Sequence, residues 1–246
     1  MLKLMKYEFR KTGFSKLILL VVTLVAELAF LLGVFLEKDR LLATGIMILY
    51  LCAVIGIAYI GLESVLALHR DLNTKQSYML FLTPHSSYEI LGAKVLENGI
   101  SILITGIFFA LVAALDVLIA TLYIGGVKEM MNMVKNFLDV SMNMNISAKD
   151  AVFVFFTTLA SWMVYIVNAD LAVILSATVL AGKKASGLVA FMIFMVLSWL
   201  MGLGLDHLPV LHNDDLQFVL YIVAAMAASA AVYLLSGWIM EKKLSV

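Results

Sequence analysis

The sequence predicts an all-α integral membrane protein: a single domain over residues 1–246 with six transmembrane helices and both termini in the cytoplasm. Three observations point there. Of the 246 residues, 63% are hydrophobic and 14% are charged, against roughly 45–50% and about 25% in soluble domains, and mean hydropathy is +1.04. The apolar residues fall into runs long enough to cross about 30 Å of hydrocarbon as helices. Only two prolines and fifteen glycines interrupt the chain, and the short alternating segments of a β-barrel are missing.

Residues 1–14 place Leu2, Met5 and Phe9 on one helical face and basic residues on the others. That pattern suits an interfacial helix at an anionic surface, or simply a positive flank to the first span. Span one, Leu17–Leu36, is too long for the apolar core of a signal peptide, and no A-x-A-like site follows it. It reads as an uncleaved anchor. The polar residues Glu37–Arg40 turn the chain into span two, Leu41–Leu68.

The next segment, residues 73–86, carries Tyr78, Met79, Leu80, Phe81 and Leu82 in a row between two spans. Asn73 or Thr74 can cap a short helix there, and Pro84 disfavours helix at Thr83. Ser86 and Glu89 have the S-x-x-E spacing of a capping box, so a new helix should start near Ser87 and run into span three, Val95–Ile124. Residues 125–150 form an outer loop. Its methionines (Met130, Met131, Met133, Met142 and Met144) could bind Cu(I), but an interfacial helix over Val127–Val140 accounts for them more simply. Spans four to six follow at Ala151–Ala181, Gly187–Leu205 and Leu216–Met240.

With both termini inside, twelve of the seventeen basic residues lie on the cytoplasmic side and five outside, as the positive-inside rule asks. Net charge is zero, and no nucleic-acid partner is expected. The single cysteine, Cys52, lies in an apolar run and permits no internal disulfide.

The segment 73–86 would then hang in the cytoplasm. Apolar and aromatic residues on an exposed helix fit a docking anchor, or they tuck against the membrane as an aromatic belt does. Enzyme chemistry is missing from the chain. Lys184 stands where a P-loop needs Ser or Thr. None of the four histidines lies within a span to serve as a base. The outer turn Asp206–Asp215, with His207 and His212, matches no strong metal template and reads as a solvated turn. No catalytic residue and no metal site is assigned.

Four carboxylates fall within the apolar runs: Glu27, Glu63, Asp116 and Asp170. Each costs about 2.5–3.5 kcal/mol at a bilayer centre, so each is a candidate for a substrate pathway by default. Glu63 and Asp170 are nearer the cytoplasmic ends, where water should reach them. The competing reading makes them neutral acids bonded to neighbouring helices, with Asn168 as one partner group.

The run Arg70-Asp71, Ser77-Tyr78, Leu80, Thr83-Pro84, Ser87, Ile90 and Lys94 resembles the cytoplasmic signature of type-2 ABC transporter permeases. The sequence departs from that signature at Asp71 (Glu in the family), at Ser77 (often Gly), at His85, and in having no Arg after the serine pair. The resemblance implies that residues 73–86 are a coupling segment docking into a separate ABC ATPase subunit. Arg70, Asp71, Tyr78, Leu80, Phe81, Pro84 and Lys94 would be the coupling residues. It implies ATP and Mg on that partner and no cofactor on this chain. It also implies a second permease subunit, identical or paralogous, in a bacterial plasma membrane surrounded by lipid. The expected function is export of an amphipathic, peptide-like or lipophilic substrate. The alternative is an ion- or proton-coupled transporter or channel built on the four carboxylates. Against it, no repeat relates the two halves and no proline breaks a span.

Overall fold

A computed structural model describes residues 2–36, 38–73, 85–123, 148–180 and 185–243. Among them the chain is all-helical: α1 (Leu2–Phe35), α2 (Asp39–Asn73), α3 (Ser87–Tyr123), α4 (Ala148–Leu180), α5 (Ser186–Asp206) and α6 (Asp214–Lys243). Each is long and apolar enough to cross a membrane, and the chain has the build of a multi-pass membrane protein. Each expected span falls on one of these helices, with Leu36 one residue past α1 and Ile124 and Ala181 outside the described residues, but the helices are longer. The first four run to 33 residues or more. At 1.5 Å per residue that is about 50 Å, so their ends reach past the hydrocarbon. The amino-terminal basic segment and the first span form one unbroken helix. Hydropathy locates only the apolar part of such a helix, because its polar extension remains helical at no hydrophobic gain.

The ends are set by identifiable groups. The Lys38 N–H donates to the Gly33 carbonyl at 3.1 Å, a link across six residues of the kind that closes a helix C-terminus. At the start of α3 the Ser86 hydroxyl accepts the Glu89 N–H at 3.2 Å, as the capping spacing predicts. The return half of the box is not made. Glu89 Oε2 lies 2.8 Å from His85 Nδ1 instead, so the imidazole takes the carboxylate that would have reached back to Ser86. As expected, α3 then runs without a break into the third span.

The chain divides into two compact units. A hairpin unit holds Phe9–Gly61 and Ile100–Asn145. A bundle unit holds Met1–Glu8, Leu62–Gly99 and Ile146–Val246.

In the hairpin unit α1 and α2 touch backbone to backbone. A Cβ added to Gly33 would lie 2.5 Å from the Leu42 nitrogen, and one added to Gly45 would lie 2.6 Å from Phe30 Cα. Ala26, Phe30 and Val34 recur every four residues and bury against Leu42 and Leu49, with Val112 and Ile119 of α3 alongside. The Phe35 and Tyr123 rings meet edge to face at 5.1 Å.

In the bundle unit α4 packs along both α5 and α6. Its apolar window is 61% buried, against 28% at most for any other helix, which makes it the core element. Helices α4 and α6 run parallel. Phe153 stacks on Phe218 near their starts, Ser161 bonds Tyr221 at 3.0 Å, and Val167 packs near Val232 and Tyr233 further along. A second cluster (Leu68, Leu72, Leu91, Ile174 and Met240) gathers α2, α3, α4 and α6 toward the end that holds Asn73 and Ser87.

Candidate functional site: a buried charge cluster in the bundle unit

The polar groups of the bundle unit concentrate at that end. Lys94 is 1% exposed. Its ammonium bonds Glu8 Oε1 at 2.9 Å and Asp71 Oδ2 at 2.7 Å, and both carboxylates are themselves buried. Three helices contribute: Glu8 from the start of α1, Asp71 from the last turn of α2, and Lys94 from the second turn of α3. A buried ion pair holds only if its remaining lone pairs and protons are also satisfied. Here one ammonium with three donors serves two carboxylates, and each contact is at charge-assisted length. The Ser64 hydroxyl adds a bond from α2 to the Lys94 carbonyl at 3.3 Å.

The surrounding contacts fix the same helix ends. Tyr233 on α6 donates its phenolic O–H to the Tyr88 carbonyl at 2.7 Å. The Tyr88 ring lies against Gly237, where an added Cβ would sit 2.3 Å from ring carbons. His69 Nε2 is 3.2 Å from the Ser186 hydroxyl, and Ser176 donates to the Ser186 carbonyl at 2.6 Å. These bonds bind the last turn of α2 and the end of α4 to the start of α5. Trp162 Nε1 donates to Asn98 Oδ1 at 3.2 Å.

Asp170 stands apart from this satisfied set. It is 1% exposed, and neither carboxylate oxygen has a hydrogen-bond partner among the described residues; the same is true of both amide atoms of Asn168. Among the described residues, the charge of Lys94 acts on Asp170. Glu63, in α2, is also buried. Water was expected to reach both acids from the helix ends; both side chains are buried instead.

The other two intramembrane acids belong to the hairpin unit, where they form a pair. The Glu27 and Asp116 side chains lie close enough to interact electrostatically. Glu27 Oε2 and Asp116 Oδ1 are buried and have no hydrogen-bond partner among the described residues.

No protein-family model matches the sequence, and no curated protein or solved structure matches it either.

Of the residues assigned to coupling, the structure brings Asp71 and Lys94 together and places Arg70, exposed, next to Asp71 in the last turn of α2. Tyr78, Leu80, Phe81 and Pro84, with most of the 73–86 segment, lie outside the described residues, as do nearly all of the 125–150 loop and its methionines. Sequence reading missed Glu8 as the second partner of Lys94. One sign of it was available: an acid set among five basic residues on the first helix. The cluster of at least three His, Cys, Asp or Glu side chains that a metal ion would need is not found among the described residues.

Proposed function

We propose that this chain is the membrane-spanning subunit of an ABC exporter, driven by ATP and Mg on a separate ATPase subunit and paired with a second permease copy or paralogue. The observation that carries the reading is the Glu8–Lys94–Asp71 cluster. Asp71 and Lys94 are charged residues on either side of segment 73–86 in the type-2 permease signature. Both are buried and bonded to each other, so in this reading they act by fixing the segment's ends rather than by touching the ATPase. A segment anchored at both ends in one packed bundle can pass a push to the helices instead of absorbing it, as a hinge or shear transition requires. The apolar run Tyr78–Leu82 then serves as the docking surface, with Arg70 at its edge. The substrate class, amphipathic or lipophilic, follows from the same resemblance, as do the plasma-membrane setting and cytoplasmic termini.

The test is co-purification of the tagged chain from its native host. A stoichiometric ATPase should accompany it, and the Tyr78→Ala/Phe81→Ala double variant should lose that ATPase while inserting into the membrane normally. Co-purification at undiminished yield from the double variant defeats the coupling assignment.

A second reading draws on a different observation. Glu27 and Asp116 interact inside the spans, and an ion-coupled transporter would use such a pair as a relay. In that case transport collapses with the proton gradient, and Glu27→Gln abolishes it. Under the exporter reading, transport follows ATP and survives the substitution.

A further inference from the structure

The bundle unit sets a buried acid that has no hydrogen bond beside a buried cation that has two. On α3, Lys94 lies between Leu91 and Val95. On α4, Asp170 lies between Val167 and Val173. Leu91 shares one buried cluster with Val173 and Ile174, and Val95 shares the next with Ile166 and Val167. Lys94 and Asp170, both fully buried, therefore occupy one layer of the α3–α4 interface, and the Lys94 charge acts on Asp170. Yet neither Asp170 oxygen has a hydrogen-bond partner among the described residues. The ammonium is turned to Glu8 and Asp71 instead.

The two directions differ in depth. Asp71 stands in the last turn of α2, whereas Asp170 is about 15 Å short of the end of α4 at 1.5 Å per residue. Lys94 thus has an outer seat of two carboxylates near helix ends and an inner carboxylate level with its own backbone. A buried acid without a partner is a cost, and it calls for a reason. An arrangement in which the acid gains a cation supplies one. Among the described residues Lys94 is the one buried cation, and its flexible four-carbon stem lets the ammonium turn. Departure from the outer seat requires that Glu8 and Asp71 be hydrated or neutralised, since a carboxylate abandoned in the interior is costly. Both stand near helix ends, where a small shift admits water.

We propose that Asp170 is a second seat for the Lys94 ammonium, which turns inward onto it when Glu8 and Asp71 are hydrated or neutralised. The bundle then has two discrete arrangements. In one, Lys94 ties the ends of α1, α2 and α3 together. In the other, that tie is open and the charge is held between α3 and α4. Such a swap is a packed two-state element of the kind that conformational cycles use. It concerns the bundle unit alone and does not depend on the exporter reading.

The test is a mutant cycle on the purified full-length chain in lipid nanodiscs, read by thermal unfolding. Asp170→Asn is made in the parent and again in the Glu8→Gln/Asp71→Asn background, where the outer seat is neutral. In the parent it should leave the midpoint unchanged or raise it, because Lys94 is elsewhere. In the neutralised background it should lower the midpoint by about 10 °C, because the ammonium then rests on Asp170. Adding Lys94→Met to that chain should restore the midpoint, since the stranded cation is gone. If the double variant does not fold, Asp71→Asn alone provides the weakened outer seat for the same comparison. An equal shift in both backgrounds overturns the proposal, and it is the result if the ammonium settles on Glu63 or Glu97, the other buried acids of α2 and α3. Failure of Lys94→Met to restore the midpoint also overturns it. No arm of the cycle involves an ATPase, so the outcome is separate from that of the co-purification.

Discussion

The hairpin unit and the bundle unit solve the same problem in opposite ways. Lipid tails are as apolar as leucine, so burial of greasy surface does not by itself drive membrane helices together. In the hairpin unit α1 and α2 close on each other through glycine, with Gly33 against the Leu42 backbone and Gly45 against that of Phe30. In the bundle unit the helices are joined by charge and hydrogen bonds: Glu8, Asp71 and Lys94, Tyr233 to Tyr88, His69 to Ser186. Close packing is tolerant of chemistry and intolerant of volume. A buried ion cluster is the reverse. The two units should therefore fail under different substitutions.

The largest effect is expected at Lys94. Lys94→Met leaves Glu8 and Asp71 buried without their cation, and breaking a buried pair in this way costs about 3–5 kcal/mol. The variant should lose most of its monodisperse yield in mild detergent. Adding Glu8→Gln and Asp71→Asn should recover much of it, since a neutral cluster has no charge left uncompensated. If the single variant is as stable as the parent, the ion cluster does not hold the bundle. Next come the glycine contacts. Gly45→Ala pushes a methyl into the Phe30 backbone, and overpacking of this kind costs about 1–3 kcal/mol; thermal unfolding in detergent reads it out. The same substitution at Gly99, where nothing lies within 4 Å, should be neutral or slightly stabilising in its helix, and it serves as the control.

Asp170 sharpens the comparison from the other side. A buried carboxylate with no hydrogen-bond partner among the described residues is a cost to the fold, on the order of 1–3 kcal/mol. Asp170→Leu should leave stability unchanged or raise the melting temperature while transport falls. A lower melting temperature would make Asp170 a structural member of the Lys94 cluster. The smallest effect is expected at Tyr233→Phe, which removes one hydrogen bond to the Tyr88 carbonyl, worth about 0.5–1.5 kcal/mol. It should also loosen the first turn of α3, seen as faster amide exchange near Tyr88.

The helices were legible in the sequence because a run of some twenty apolar residues has few other uses. The start of α3 was legible because Ser86 carries the cap in its own side chain. A helix at residues 1–14 was expected, but its unbroken continuity with span one was not, since the helix outruns its apolar part. Asp71 and Lys94 could be singled out from the signature around them, but their third partner could not: Glu8 and Lys94 are separated by 86 positions, and no local pattern spans that distance. Glu27 and Asp116 were each conspicuous as an acid in an apolar run. That they interact depends on which faces α1 and α3 present, and both helices are apolar nearly all round.

One consequence concerns the order in which the chain is made. Helix α1 emerges from the ribosome first, carrying Glu8 and Glu27, and the partners of both, Lys94 and Asp116, are on α3. The glycine contacts with α2 allow the first two helices to pair as soon as the second is synthesised. The acids of α1 wait until the third helix has entered the bilayer. A nascent chain halted after α2 thus holds a formed hairpin whose two acids on α1 have yet to meet Lys94 and Asp116, and the arrival of α3 brings both.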